Sequence, residues 1–157
     1  MTTVNFNFSI DEILKQIYAL TAMHALTAEA EPVAMLTDDN RDALRMVIVD
    51  NFGFMALQLG SIVADCELPD DEPEYGQIEP IMSLTLRLPD RFKDGNTSPL
   101  LRAMESALAY STLRDVYLDS DSRLSNLYAN RAAMSVDNVK AMVDMPDSTL
   151  PGILGFF

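Results

Sequence analysis

The 157-residue chain contains one cysteine, Cys66, one histidine, His24, and no tryptophan. A single cysteine excludes an internal disulfide framework and any multi-cysteine metal site, and it is compatible with a reducing compartment. The habit of a free cysteine is to bury as a small apolar side chain. A metal or acid–base role for His24 would need partners that the sequence does not supply, so it reads as structural. Glycine is also sparse, at six residues. Gly95 stands alone and Lys93 is not followed by Ser or Thr, so a phosphate-cradling loop is absent. No apolar run approaches the ~18 residues of a membrane-spanning helix. The N-terminal stretch has no basic region leading into an apolar one, so a secretory leader is not expected.

Positive charge is the last shortage. Eleven Lys and Arg stand against 24 Asp and Glu, for a net charge of −13. Affinity for nucleic acid comes mostly from cations that neutralise phosphates, so a phosphate-binding surface is disfavoured. Three readings of the charge remain open. It serves solubility, it meets a basic protein partner by complementarity, or it forms a wall past which DNA slides without sticking.

Hydrophobic content of 48% is that of a globular chain. A single domain over 1–157 is expected, mainly α. It should be a bundle of about four helices, with one long strand, or a small hairpin or edge strand, between the second and third, an N-terminal arm and an extended C-terminal tail. The strand carries the clearest pattern. Met82, Leu84, Leu86 and Leu88 alternate with Ser83, Thr85 and Arg87, which gives one buried and one wet face within 77–88. Pro89 stops it. A long strand needs a neighbour. The alternation of Val4, Phe6 and Phe8 in residues 1–8 makes the arm a candidate partner, unless that arm is instead ordered on another molecule.

The helices announce themselves by their caps. Ser9 as N-cap, Glu12 three residues on, and a Phe8–Ile13 staple open a first helix running to about Ala30, before Pro32. Thr37, Asp38 and Asp39 cap a second from Arg41 to about Asp65, with Leu44, Val47, Ile48, Phe52, Met55, Leu59, Ile62 and Val63 as its buried stripe. The β-branched run Val47–Ile48–Val49 lowers helix propensity and is a place for a break. Gly53 and Gly60 lie on one side of this helix and suggest close approach of another helix. Ser98 and Pro99 open a third helix ending near Leu118. Asp119 to Ser122 turns the chain into a fourth, running to about Val143, antiparallel to the third.

Two segments resist this scheme. Asp65, Glu67, Asp70, Asp71, Glu72 and Glu74, with Pro69 and Pro73, form an acidic loop. The spacing does not match a calcium loop, so a solvated loop is expected and no metal. The tail, 144–157, carries Pro146 and Pro151 together with Leu150, Ile153, Leu154, Phe156 and Phe157. So apolar a tail should dock, either on its own core or on a neighbour. Ten methionines serve as adaptable core filler or as a plastic contact surface. No catalytic or cofactor motif is present, and no enzymatic activity is expected.

Three stretches carry a family resemblance: Ser9-Ile10-Asp11-Glu12-Ile13, Thr37-Asp38-Asp39-Asn40-Arg41, and Leu84-Thr85-Leu86-Arg87-Leu88-Pro89-Asp90-Arg91-Phe92. With the order of elements over residues 9–143, the chain resembles small head–tail connector or neck (head completion) proteins of tailed phages and prophages of gut bacteria. The chain departs from the family in two places. Tyr110, Tyr117 and Tyr128 stand where the family carries a Trp-containing cluster, and the apolar tail is added. The resemblance implies a structural virion protein, made in the bacterial cytoplasm and placed in the neck. It would be a ring homo-oligomer between portal and tail proteins, with DNA passing an acidic channel unbound and no membrane involved. The surfaces expected to join copies are the strands and tail: Val4, Phe6, Phe8, Met82, Leu84, Leu86, Leu150, Ile153, Leu154, Phe156 and Phe157. The reading weighed against it is an acidic regulatory module, of the DNA-mimic type, that binds a basic protein.

Overall fold

The computed structural model describes residues 1–27, 36–69, 82–92 and 94–144. Along the chain come β1 (Thr2–Phe8), α1 (Ile10–Thr27), α2 (Arg41–Leu59), β2 (Val63–Glu67), β3 (Met82–Leu88), α3 (Thr97–Tyr117) and α4 (Ser122–Asp144). Short 3-10 turns precede α2, β2 and α3. The protein is mainly α, with four helices and a small antiparallel sheet.

The sheet supplies the neighbour that the strand needs and a second besides: β3 is the central strand of the order β1-β3-β2. The arm β1 lies along its whole length, from Thr2 opposite Leu88 to Phe8 opposite Met82. On the other side β2 pairs Cys66 with Leu84 and Glu67 with Ser83, with an irregularity between Val63 and Asp65. The alternation works as the pattern demands. Met82, Leu84, Leu86 and Leu88 are all buried, together with Phe6 and Phe8 of β1. The opposite face is polar, and there the Asn5 amide donates to Ser83 Oγ at 2.7 Å and to Thr85 Oγ1 at 2.9 Å.

The helices cover the apolar face of this sheet. Phe8 meets Phe52 of α2 edge to face, with ring centroids 5.1 Å apart. Ile10, Ile13, Leu14 and Ile17 of α1 join the same core as Leu100, Met104, Leu108 and Leu113 of α3 and Val139, Met142 and Val143 of α4. A two-layer arrangement of this kind buries one stripe of each helix and one face of the sheet.

Helix ends follow the chemistry of their caps. The Thr37 N–H donates to Asn40 Oδ1 at 3.1 Å just before α2. Asp121 Oδ1 accepts from the backbone of Arg123 and Leu124, at 3.1 Å each, and so starts α4. α3 begins at Thr97, one residue before the expected cap, with Asn96 in the N-cap position. Ser98 and Pro99 thus fall in its first turn, where a missing N–H costs nothing. The expected C-terminus of α1 near Ala30 lies outside the described residues.

The second helix departs most from expectation. It runs unbroken through Val47–Ile48–Val49, because Ile48 is fully buried and tertiary packing outweighs the propensity of three residues. It stops at Leu59 rather than near Asp65. Gly60 has φ 59° and ψ −124°, a region that glycine tolerates and L side chains rarely adopt. This turn sends the chain into β2, a strand that the sequence pattern does not reveal. Close helix approach does not explain the glycines: a Cβ built on Gly53 or Gly60 would meet nothing within 4 Å.

Candidate interaction surface

α2 and α3 are joined by a polar network. Asn51 is buried, and its Nδ2 donates to the Val47 carbonyl at 3.0 Å and to Asp115 Oδ2 at 2.9 Å. Arg114 closes the circuit, with Nη2 donating to Asn51 Oδ1 at 3.1 Å and Nε to Asp115 Oδ1 at 2.8 Å. Each charge is therefore met by a partner, as burial of polar groups requires. Beside the network a groove of about 270 Å³ is lined by Asn51, Phe54, Met55, Gln58, Ser111 and Arg114.

The rim of that groove belongs to the outward face of α2. Leu44, Ile48, Phe52, Met55 and Leu59 turn inward and are buried. At 100° per residue, Met46, Asp50, Gly53 and Leu57 fall on the opposite side, with Phe54 at its edge towards α3. Met46 is 62% exposed, Phe54 61% and Leu57 76%, so none is used by the fold. Scattered exposed apolar residues are ordinary, whereas several on one helix face mark a contact surface. The signal was present in the sequence: these side chains lie off the buried stripe, yet are as large as those on it.

The expected contact residues are placed elsewhere. Phe6, Phe8, Met82, Leu84 and Leu86 are at most 4% exposed, and Val4 is half-buried against the same core. Their apolar surface is spent inside the molecule and cannot also join copies. Strand addition on β3 is corrected for the same reason, since both of its edges are taken. The sheet edges lie instead on β1 and β2. The tail residues Leu150, Ile153, Leu154, Phe156 and Phe157 lie outside the described residues, as does the acidic loop from Asp70 to Glu74.

The chemically versatile side chains sit apart from one another. Cys66 is half-buried on β2, and burial, then the charge of Asp65, pushes its thiol up and so disfavours the reactive thiolate. His24 meets the edge of Tyr128 at 5.5 Å between ring centroids. Tyr128 itself stacks with Tyr110 at 6.0 Å and Tyr117 at 6.1 Å, and Arg131 lies 5.8 Å from its ring centre. This ladder of tyrosines ties α3 to α4, and with His24 it reaches α1. Among the described residues no group of three or more His, Cys, Asp or Glu is placed to hold a metal ion. No described helix is long and apolar enough to cross a membrane.

No family model, no curated protein and no solved structure matches this chain.

Proposed function

We propose that the chain is a structural assembly protein, and that within this class it is a head–tail connector or neck component of a tailed-phage virion, joined into a ring between portal and tail. The observation that carries the assembly reading is the outward face of α2, read as a contact with another protein of the assembly rather than with a second copy. Met46, Phe54 and Leu57 remain exposed although the fold has a well-filled core of its own. Large apolar side chains held on a rigid helix supply the anchors that a protein interface needs. The narrower assignment rests on the resemblance of the three sequence stretches and on the net charge of −13, which suits a channel that DNA traverses.

Light scattering and negative-stain microscopy of the full chain, alone and with a portal ring, test the reading. The expected result is a closed ring, or a monomer that assembles on the portal. A monomer that joins neither itself nor any head or tail component would overturn it.

A second reading is favoured by the distribution of charge. Between residues 36 and 69 every exposed charged side chain is acidic: Asp38, Asp39, Asp42, Asp50, Asp65 and Glu67. An acidic module that binds a basic protein would present such a stretch.

A further inference from the structure

We infer that the outward face of α2 is a docking site for a basic amphipathic helix of a partner protein. The inference rests on the reading of the chain as an interaction protein and names the chemistry of the partner. Three features carry it.

The first is shape. Met46 and Leu57 are eleven positions apart, so they mark out a face of about 16 Å, three turns of helix, with Asp50 between them. Gly53 lies between them, with open space where its side chain would be. The absence of a Cβ leaves a shallow saddle, flanked by Leu57 and by Phe54 at the mouth of the α2–α3 groove. A helix presenting residues at i, i+3, i+4 and i+7 fits a surface of this length and profile.

The second is charge. Asp42 and Asp50 are exposed on this same face of α2, one turn before and one turn after Met46, and Asp38 and Asp39 are exposed just ahead of the helix. The two basic residues of the stretch do not offset this. Arg41 is ion-paired with Asp11 at 2.6 Å, and Arg45 is only 8% exposed. The exposed apolar side chains of this face are thus interspersed with charge of one sign. A partner with aliphatic residues on one stripe and Lys or Arg beside it satisfies both parts of the surface. A second copy of this chain would bring Asp42 and Asp50 against another acidic surface, so self-association through this face is disfavoured.

The third is the condition of the floor. Arg114, which lines the groove, is engaged by Asp115 and Asn51. Its charge is neutralised locally and does not repel a basic ligand.

The test uses the full chain and a fluorescently labelled designed helix of about 18 residues, with leucines on one face and lysines on the rest. An analogue with glutamate in place of every lysine serves as its control. Anisotropy titrations are expected to show binding of the lysine peptide, weakened by salt, and none of the glutamate peptide. Charge attraction alone would give the same contrast, so the deciding comparison keeps charge constant. The double substitution Phe54→Ser with Leu57→Ser should weaken binding by about tenfold or more. Leu26→Ser, at an exposed site on α1, should leave it unchanged. Equal binding by the double variant and the parent would overturn the inference, as would binding of the glutamate peptide. Light scattering of the same variants separates this inference from the assembly reading. Self-assembly lost in the double variant, with no peptide bound by the parent, would give the face to a second copy and overturn the basic partner. Self-assembly retained throughout with no peptide bound would also overturn it, and leave the assembly reading standing.

Discussion

Arg114 Nη2 donates to Asn51 Oδ1 at 3.1 Å, so a cation on α3 is held by an amide on α2 that is itself buried. Asp115 completes the circuit by accepting from both residues. Removing the amide would leave Arg114 short of an acceptor and Asp115 short of a donor in half-buried positions. Asn51→Ala should therefore lower stability by roughly 1–3 kcal/mol, the cost of leaving buried polar groups unpaired. A urea unfolding midpoint equal to the parent's would show that water replaces the amide at no cost.

The two glycines of the α2 region should respond in opposite directions. Gly53 lies within the helix and a methyl group there meets nothing. Gly53→Ala should raise stability by about 0.5–1 kcal/mol, because alanine gives up less backbone entropy in a helix. Gly60, at φ 59° and ψ −124°, holds the turn from α2 into β2. Gly60→Ala should lower stability by about 1–3 kcal/mol through backbone strain. Thermal melts of the two variants check the contrast, and a loss of stability in both would mean that Gly53 has a packing role.

Much of the fold was legible because several signals coincide. The start of α1, the buried alternation of β3, and the turn between α3 and α4 each combine a cap or breaker with a clean hydrophobic period. What was hidden had a weak or masked period. β2 is five residues long, contains Ala64 and Asp65, and is irregular where it joins β3, so alternation is lost. Its start looked like more of α2 because Ile62 and Val63 keep helical spacing from Leu59. Only the positive φ of Gly60 marks the break, and a glycine in sequence does not disclose its φ. The contact surface was misplaced for a related reason. A strand reads as unpaired until its partners are known, so apolar residues that fill the core were assigned to neighbours. Phe54 and Leu57 do not fit the stripe, which is the property that leaves them exposed.

One side chain reinforces the pairing of β2 with the rest of the sheet. Arg87, on the polar face of β3, donates from Nη1 to the Ser61 carbonyl at 3.1 Å and to the Val63 carbonyl at 2.7 Å. It clasps the turn that leads out of α2. Arg87→Met keeps the length of the side chain and removes both bonds, and should cost about 1 kcal/mol. The effect should be local. Amide hydrogen exchange is expected to quicken from Gly60 to Glu67 before it changes in α3 or α4. Uniform acceleration along the chain would show that Arg87 supports the whole fold rather than this strand.

Tyr128 offers a test of the core that links α3 and α4. It is fully buried between Tyr110 and Tyr117, and its hydroxyl has no hydrogen-bond partner among the described residues. Burial, and next the neighbouring Tyr117, pushes its pKa up from 10.0 to about 12. Below pH 10 the phenol is protonated in both the folded and the unfolded chain, and it adds no pH dependence. Between pH 10 and about 12 the unfolded chain releases the proton while the folded chain holds it. Stability must then fall as pH rises, because the unfolded state binds fewer protons. Tyr117 is also shifted upwards by burial and adds to the same slope. Tyr128→Phe keeps the ring and removes both the unpaired hydroxyl and its titration. The variant should be more stable than the parent by about 1 kcal/mol near neutral pH. Its stability should also decline less steeply above pH 10. Urea unfolding across that range reads both effects at once. A variant that is weaker at neutral pH would mean that the hydroxyl is bonded, to water or to a group that reaches it in solution, and that the tyrosine ladder depends on that bond.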